Sequence, residues 1–306
     1  MKILVMGSGG VGGYFGAKLA RAGEAVTFVA RGAHLNAIRA HGLRIKSSAE
    51  GEFVVTAPAT DDPGETGPQD LVLFCVKSFD TEAAARSLGA AVGPGTAILS
   101  LQNGVDNEEK IAAIVGPGHV LGGAAYVFAT IESPSVIVHA LGGRIVFGEL
   151  DGSASPRTLR IRQALDRAAI PVELSPQIHR VLWEKYLFIV AQSGMTALTR
   201  CPIGVIRSVP ETRKMYRLIL EELAALAKAL GIELAPEAAD AVVMATDNLA
   251  PTAYSSLYYD LTRGKRLELE ALQGHAVRLG ERLGIPMPMC SAVYAALKAY
   301  LNGPPT

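Results

Sequence analysis

A short apolar run that breaks directly into closely spaced glycines, Lys2-Ile3-Leu4-Val5-Met6-Gly7-Ser8-Gly9-Gly10-Val11-Gly12-Gly13, constrains this chain more than any other stretch. The run reads as a buried parallel strand. Gly7, Gly9 and Gly12 then follow the spacing G-x-G-x-x-G, and Val11, Phe15 and Leu19, with Ala17 and Ala20, recur at helical period up to Gly23. At this spacing Gly7 permits a tight turn, Gly9 lets the backbone approach a pyrophosphate, and Gly12 lets helix pack closely on strand. The free N–H groups and the dipole at the helix start favour a phosphate there. A second strand, Ala25-Val26-Thr27-Phe28-Val29, completes the order. Alone, the spacing also occurs in plain glycine-rich turns. Between strand and helix it predicts a dinucleotide site cradled by Gly7, Ser8, Gly9, Gly10, Val11 and Gly12.

The second strand selects the cofactor. An NAD site usually carries an acidic residue at the end of this strand, where it meets the ribose 2′-hydroxyl. Here the strand ends in Ala30-Arg31-Gly32, and Glu24 stands before the strand, at the opposite end. The planar guanidinium of Arg31 suits a 2′-phosphate, whose oxygens it can bind in pairs. The expectation is NADP(H), against the plain alternative of a solvated surface arginine.

The 306 residues are long enough for about two domains. Charged residues make up 19% and hydrophobic residues 49%, a globular balance. Twenty-nine basic residues match twenty-nine acidic ones, so nothing points to nucleic acid or an anionic membrane surface as partner. Cys75, Cys201 and Cys290 are scattered, without a C-x-x-C pair, so neither a disulfide framework nor a metal site is expected. Cys75 sits in the apolar run from Leu71 to Val76 and reads as a small buried hydrophobe. Glycines cut the N-terminal apolar stretch too short for a signal peptide, and no apolar stretch approaches the length of a membrane span. The default location is the cytoplasm.

Strand and helix patterns alternate through the first hundred residues. The reading is a helix over 33–40, an alternating pair at 43–46 and 52–56 that suggests a hairpin or sheet-edge excursion, and a polar loop over 60–69. A buried strand at 71–76, a helix at 81–91 and a strand at 97–101 follow. Residues 119–147 read as several β-rich runs split by Gly and Pro, and 156–169 as a helix before a strand at 170–174. Past Ser175-Pro176 only helical periodicity remains, at 181–198, 211–230, 236–249, 267–283 and 289–301. The fold class is therefore α/β: a Rossmann-type domain over 1–175 and an all-helical domain over 176–306. Ligands of such sheets bind outside the C-terminal strand ends, so the helical domain is expected to close over that edge.

Polar turns follow two buried strands, Val76-Lys77-Ser78-Phe79-Asp80 and Leu101-Gln102-Asn103-Gly104. Lys77 could meet an anionic group and Asn103 the nicotinamide half or the substrate; ordinary turn chemistry is the plain alternative. In the mostly apolar helix around Trp183, the residues Lys185, Gln192, Ser193 and Thr196 share a face at helical spacing. Lys185 either snorkels out near the helix start or meets a partner in a cavity, where burial would make it a usable proton donor. Ser255, Ser256 and Glu268 belong to a charged segment that could bind a carboxylate and pair with Lys185, or be a solvated helix start.

Taken in order, Gly7-x-Gly9-x-x-Gly12, Arg31-Gly32-Ala33-His34-Leu35, Val76-Lys77-Ser78, Leu101-Gln102-Asn103-Gly104, Trp183-x-Lys185 and Ser255-Ser256-x-x-x-Asp260 with Glu268-x-Glu270 resemble the motifs of the ketopantoate reductase (2-dehydropantoate 2-reductase) family. The resemblance spans nearly the whole chain. It implies NADPH-dependent reduction of a 2-oxo acid to a 2-hydroxy acid, 2-dehydropantoate to pantoate in pantothenate biosynthesis, in a cleft between a Rossmann and a helical domain. It further implies Lys185 as general acid, Glu268 as its holder, Ser256 at the substrate's carboxylate or hydroxyl end, and Asn103 and Lys77 beside the nicotinamide. The partner is a small 2-oxo acid, no metal is required, and a homodimer is left open. The resemblance breaks at Ile189, where the family carries an asparagine that contacts substrate, and one turn further on at Ser193, which replaces another asparagine. Isoleucine forms no hydrogen bond, so the site should be more apolar. One rival is thus an enzyme of the same scaffold acting on a more hydrophobic carbonyl or hydroxy substrate; another is a cofactor-binding regulator without turnover.

Overall fold

Ten strands form one sheet in a computed structural model that describes residues 1–305. In chain order they are β1 (Lys2–Met6), β2 (Ala25–Val29), β3 (Leu43–Ser47), β4 (Gly51–Val55), β5 (Ala59–Thr60), β6 (Leu71–Phe74), β7 (Ala97–Ser100), β8 (Val120–Ser133), β9 (Val136–Glu149) and β10 (Val172–Leu174). Their lateral order is β4-β3-β9-β8-β7-β6-β1-β2-β5, with β10 alongside β9. The run β8-β7-β6-β1-β2-β5 is parallel throughout. Its central members β1, β6 and β7 are nearly or wholly buried along their length, as continuous apolar runs covered on both faces require. The helices α1 (Gly10–Arg21), α2 (Gly32–His41), α3 (Thr81–Ser87), α4 (Asn107–Val115) and α5 (Pro156–Arg167) connect the strands.

The expected hairpin is present as β3–β4 and pairs antiparallel. It lies at the far edge, where β3 runs parallel to the start of β9. The β-rich stretch after His119 differs from its sequence reading. Instead of several short runs, β8 and β9 are fourteen residues each and pair antiparallel with three irregularities in register. Its glycines do not interrupt the strands. They mark close backbone approach: a Cβ on Gly123 would lie 2.5 Å from the Ser100 carbonyl oxygen, and Gly142 takes a φ of +82°.

Helix α4 was not expected from periodicity, although Asp106, Asn107, Glu108 and Glu109 are the acidic and amide residues that favour a helix start. Helix α5 begins as its sequence suggests, with Pro156 in the first turn and a reciprocal Ser155–Thr158 capping box.

The described residues fall into two compact units, residues 1–102 with 106–181, and Asn103–Val105 with the chain from Leu182 onward. The second is helical: most of α6 (Ile178–Thr199), then α7 (Ile203–Ser208), α8 (Pro210–Ala229), α9 (Ala238–Asp247), α10 (Ser256–Thr262), α11 (Gln273–Leu283) and α12 (Pro288–Lys298). Tyr186, Leu187, Val190, Ala191 and Met195 of α6 join Leu220 and Leu223 of α8 and Cys290 and Val293 of α12 in its core. The helix expected over 267–283 is broken. Glu268–Glu270 forms a 3-10 turn, Leu272 leaves helical geometry (φ −97°, ψ −100°), and α11 starts only at Gln273. At the break the Leu272 carbonyl accepts from the Tyr186 phenol as well as from the Ala276 N–H of α11.

Candidate active site

The turn after β1 is shaped by what each glycine touches. Gly7 has φ +98°, and a Cβ there would lie 2.8 Å from the Val76 nitrogen, at the end of neighbouring β6. A Cβ on Gly12 would lie 2.2 Å from the Gly7 carbonyl oxygen, so α1 rests directly on the loop it follows. Around Gly9, the residue capping α1, nothing stands within 4 Å of that position. Beside it the first turn of α1 offers N–H groups without intrahelical partners. This open, donor-lined backbone fits a pyrophosphate.

Two residues expected in the cradle do something else. Ser8 is buried, and its hydroxyl and its N–H both donate to the Val29 carbonyl at 3.0 Å, tying the loop to β2. Its side chain is not available to a phosphate. Gly10 is glycine because a Cβ would lie 2.0 Å from the Ala129 oxygen of β8. Its side faces the sheet. Val11 is half-buried and packs on the same core.

His34 supplies a brace that sequence reading did not assign. Its Nδ1 accepts from the Ser135 N–H at 3.1 Å, so the proton belongs on Nε2, which donates to the Ser8 carbonyl at 2.8 Å. The glycine loop, α2 and the β8–β9 turn are thereby joined through one neutral imidazole.

Arg31, exposed at the C-terminal end of β2 and capping α2, makes no side-chain hydrogen bond or ion pair among the described residues. No acidic residue stands nearby in sequence on that side. Glu24 lies at the other end of the strand, bound to the N-terminal ammonium and to Arg167. This corner fits a phosphorylated ribose.

Lys77 is exposed in the turn after β6. The turn is held by Gln102, past the end of β7, whose Nε2 donates to the Val76 carbonyl at 3.0 Å and to Thr81 Oγ1 at 2.8 Å. Sequence reading grouped Gln102 with Asn103 and gave it no task. Because β7, β6, β1 and β2 are consecutive neighbours, Gln102, Lys77, the glycine loop and Arg31 line up along one sheet edge. Burial pushes the Cys75 thiol, beside the loop, up to about 12.

In the helical unit Lys185 and Ile189 are half-buried, one turn apart on α6, and Ile189 packs against the core. Asn103, half-buried, belongs to the same unit and precedes Gly104, whose φ is +113°. Ser193 departs from its expected contact with substrate. It is 1% exposed, donates to the Val190 carbonyl at 3.3 Å and accepts from Gln273 Nε2 at 3.0 Å. Gln192 and Thr196 are likewise buried, and the Thr196 hydroxyl is hydrogen-bonded to the Gln192 carbonyl and to the Ser255 hydroxyl, each at 2.7 Å. Ser255 in turn caps α10 by accepting from the Tyr258 N–H. That leaves Ser256, exposed at the first position of α10, as the serine open to a ligand.

The two acidic residues of the 3-10 turn also separate. Glu268 is buried, whereas Glu270 takes hydrogen bonds from Arg278, Lys298 and Tyr294. Burial would raise the Glu270 pKa, but these donors hold it below the ordinary carboxylate value. Glu270 is structural, and Glu268 is the candidate for chemistry. A separate cavity of about 360 Å³ lies among α7, α8 and α9, but its arginines are already engaged: Arg213 by Asp247, Arg207 by three carbonyls at the end of α9. Among the described residues no three His, Cys, Asp or Glu side chains are grouped to hold a metal.

Residues 3–152 match the model of the ketopantoate reductase PanE/ApbA family, and residues 177–301 match that of its C-terminal part. The chain belongs to the ketopantoate reductase family. A 2-dehydropantoate 2-reductase of Archaeoglobus fulgidus is 33% identical, covering 93% of this chain and 92% of the relative. The crystal structure of a PanE/ApbA family ketopantoate reductase from Ralstonia eutropha JMP134 superposes with a TM-score of 0.91 at 34% identity, covering 98% of each chain. The ternary structure of D-mandelate dehydrogenase with NADH and anilino(oxo)acetate shares the fold, with a TM-score of 0.91 at 22% identity over 98% of each chain.

Membership makes this chain an oxidoreductase that uses a nicotinamide dinucleotide. No helix among its described residues is long and apolar enough to cross a membrane. Within this ketopantoate reductase family member, Gln192, Ser193 and Thr196 of α6 are buried. The groups left to meet ligands are fewer than the motif count suggested.

Proposed function

We propose that the chain reduces a 2-oxo acid to a 2-hydroxy acid with NADPH, and that 2-dehydropantoate is the substrate to test first. Family resemblance along both halves of the chain supports the reaction class. Arg31, unpartnered at the end of β2 with no acidic residue beside it in sequence, is the observation that carries the choice of NADPH.

In this reading residues 1–175 hold the cofactor and residues 176–306 supply the reacting groups. Backbone N–H groups from Gly9 to Gly12 bind the pyrophosphate, Arg31 binds the 2′-phosphate, and Lys77 and Asn103 line the nicotinamide side. When bound there, the dinucleotide would supply a hydride to the carbonyl carbon. Lys185 gives a proton to the carbonyl oxygen, so C=O becomes CH–OH. Glu268 holds the Lys185 ammonium, and Ser256 accepts the substrate's polar end. A positioned general acid contributes about 10²- to 10⁴-fold, so Lys185→Ala should lower kcat by that order while leaving NADPH affinity in place. The reaction is assigned to the cytoplasm, with a homodimer as the assembly to test by light scattering.

One observation favours a second reading. Ile189 is half-buried one turn from Lys185, where a hydrogen-bonding side chain would be useful to a hydroxylated substrate. A 2-oxo acid with an apolar or aromatic side chain would suit it better, and the fold is shared with D-mandelate dehydrogenase. Steady-state oxidation of NADPH and NADH with 2-dehydropantoate, branched aliphatic and aromatic 2-oxo acids separates the readings. Preference for 2-dehydropantoate supports the first and preference for an aromatic acid the second. No turnover on any of them, with NADPH still bound, would remove both.

A further inference from the structure

The segment that carries Glu268 is fastened to the helix that carries Lys185 at two points. Tyr186, next to Lys185 in the chain, donates its phenol to the Leu272 carbonyl at 2.6 Å. Leu272 donates its own N–H to the Glu268 carbonyl at 3.2 Å, so this first tie reaches the acid through one residue. One turn further along α6, Gln273 Nε2 donates to the Val190 carbonyl at 2.9 Å and to Ser193 Oγ at 3.0 Å. The helix is bare at that point. A Cβ on Gly194 would lie 3.0 Å from the same Nε2.

Gln273 is 1% exposed, and its Oε1 is buried with no hydrogen-bond partner. A buried amide satisfied on one side only is a liability compared with an apolar side chain of equal length, because the unmet acceptor has lost its water. Its chain neighbours Leu272, Ala276 and Val277 are members of the apolar core, so packing alone does not call for an amide at this position. What an apolar residue could not supply is the donor pair directed at α6.

We infer that Gln273 is a positioning residue: with the Tyr186–Leu272 bond, its amide nitrogen fixes where Glu268 stands relative to Lys185. The inference rests on the proposed roles of those two residues. Ser193 then serves the site from inside, as an acceptor for Gln273.

The test is Gln273→Met, which keeps length and apolar contact and removes the donors. A misplaced reacting group lowers the rate by about one to two orders of magnitude, so kcat should fall at least about tenfold with NADPH affinity unchanged. The thermal midpoint should stay level or rise, and the pH profile of kcat should shift on the limb that Lys185 controls. Ser193→Ala keeps the Gln273–Val190 bond and should give a smaller loss in the same direction. Wild-type kcat and pH profile in Gln273→Met would overturn the inference. So would a loss of kcat that follows a drop in thermal midpoint in both variants, since that marks a purely structural amide. Titration of Lys185 by NMR after ¹³C-methylation, in wild type and Gln273→Met, keeps the two claims apart. A wild type inactive on every 2-oxo acid sinks the catalytic reading, whereas an unmoved Lys185 titration in the variant sinks this one.

Discussion

Gly9 and Gly12 share a residue type and a motif but differ in their surroundings, and that difference is measurable. A methyl group on Gly12 would run into the Gly7 carbonyl and Cys75, whereas one on Gly9 would enter open space. Gly12→Ala should therefore destabilise the fold by about 1–3 kcal/mol, read as a fall in thermal midpoint without cofactor. Gly9→Ala should leave that midpoint in place and weaken NADPH binding by about tenfold, because the methyl occupies the pyrophosphate's approach. Arg31→Ala belongs to the same scale. Charge-assisted hydrogen bonds are each worth about 1.5–3 kcal/mol, so KM for NADPH should rise by about one to two orders of magnitude while KM for NADH stays nearly constant. An equal effect on both cofactors would remove the 2′-phosphate assignment. Single residues were legible in sequence where backbone geometry decided them, as at Gly7 and Gly12. Their partners were not legible where a distant residue supplies them: Ser8 bonds to Val29, and Ser193 to Gln273.

At the scale of elements, the β3–β4 hairpin is latched to α1 by one carboxylate. Glu50, in the hairpin turn, accepts from Lys18 at 2.5 Å, Arg21 at 2.5 Å and Tyr14 at 3.0 Å. Burial would raise its pKa, but these donors lower it from 4.5 to about 2. The folded value is depressed, so the stabilisation is fully present above about 4.5 and is lost as pH falls toward 2. Acid titration of thermal midpoint should show this loss in the wild type and a flatter profile in Glu50→Gln. Lys18 is 4% exposed, and without Glu50 its ammonium would keep the hydrogen bond to the Ala169 carbonyl at 2.9 Å. Periodicity showed that the hairpin and α1 exist. It could not show that they touch, because their pairing depends on β3 joining the far end of the sheet beside β9. The break at Leu272 was hidden for a similar reason. Apolar spacing from Leu267 to Leu283 is continuous, and the second donor to the Leu272 carbonyl at the break is a tyrosine on another helix.

At the scale of the whole molecule, two cores belong to two sequence regimes, an alternating α/β part and a helical part. A ligand that binds only the folded chain stabilises it by RT ln(1 + [L]/Kd), about 2.7 kcal/mol at a hundredfold excess over Kd. NADPH should therefore raise the thermal midpoint more than NADH at equal concentration, a result that needs no substrate. Equal shifts would count against Arg31 as the phosphate site.

The sequence by itself determined the class of fold, the glycine loop and the basic residue at the end of β2. These are local: burial period, turn geometry and chain order are written within a few neighbouring residues. Only the tertiary structure decided which polar side chains are free to meet a ligand. Ser8, Ser193, Ser255 and Glu270 are taken up by partners elsewhere in the chain, while Arg31 and Ser256 are exposed. A hydrogen bond's second member is set by how elements far apart in sequence pack, and no pattern along a single element contains that information.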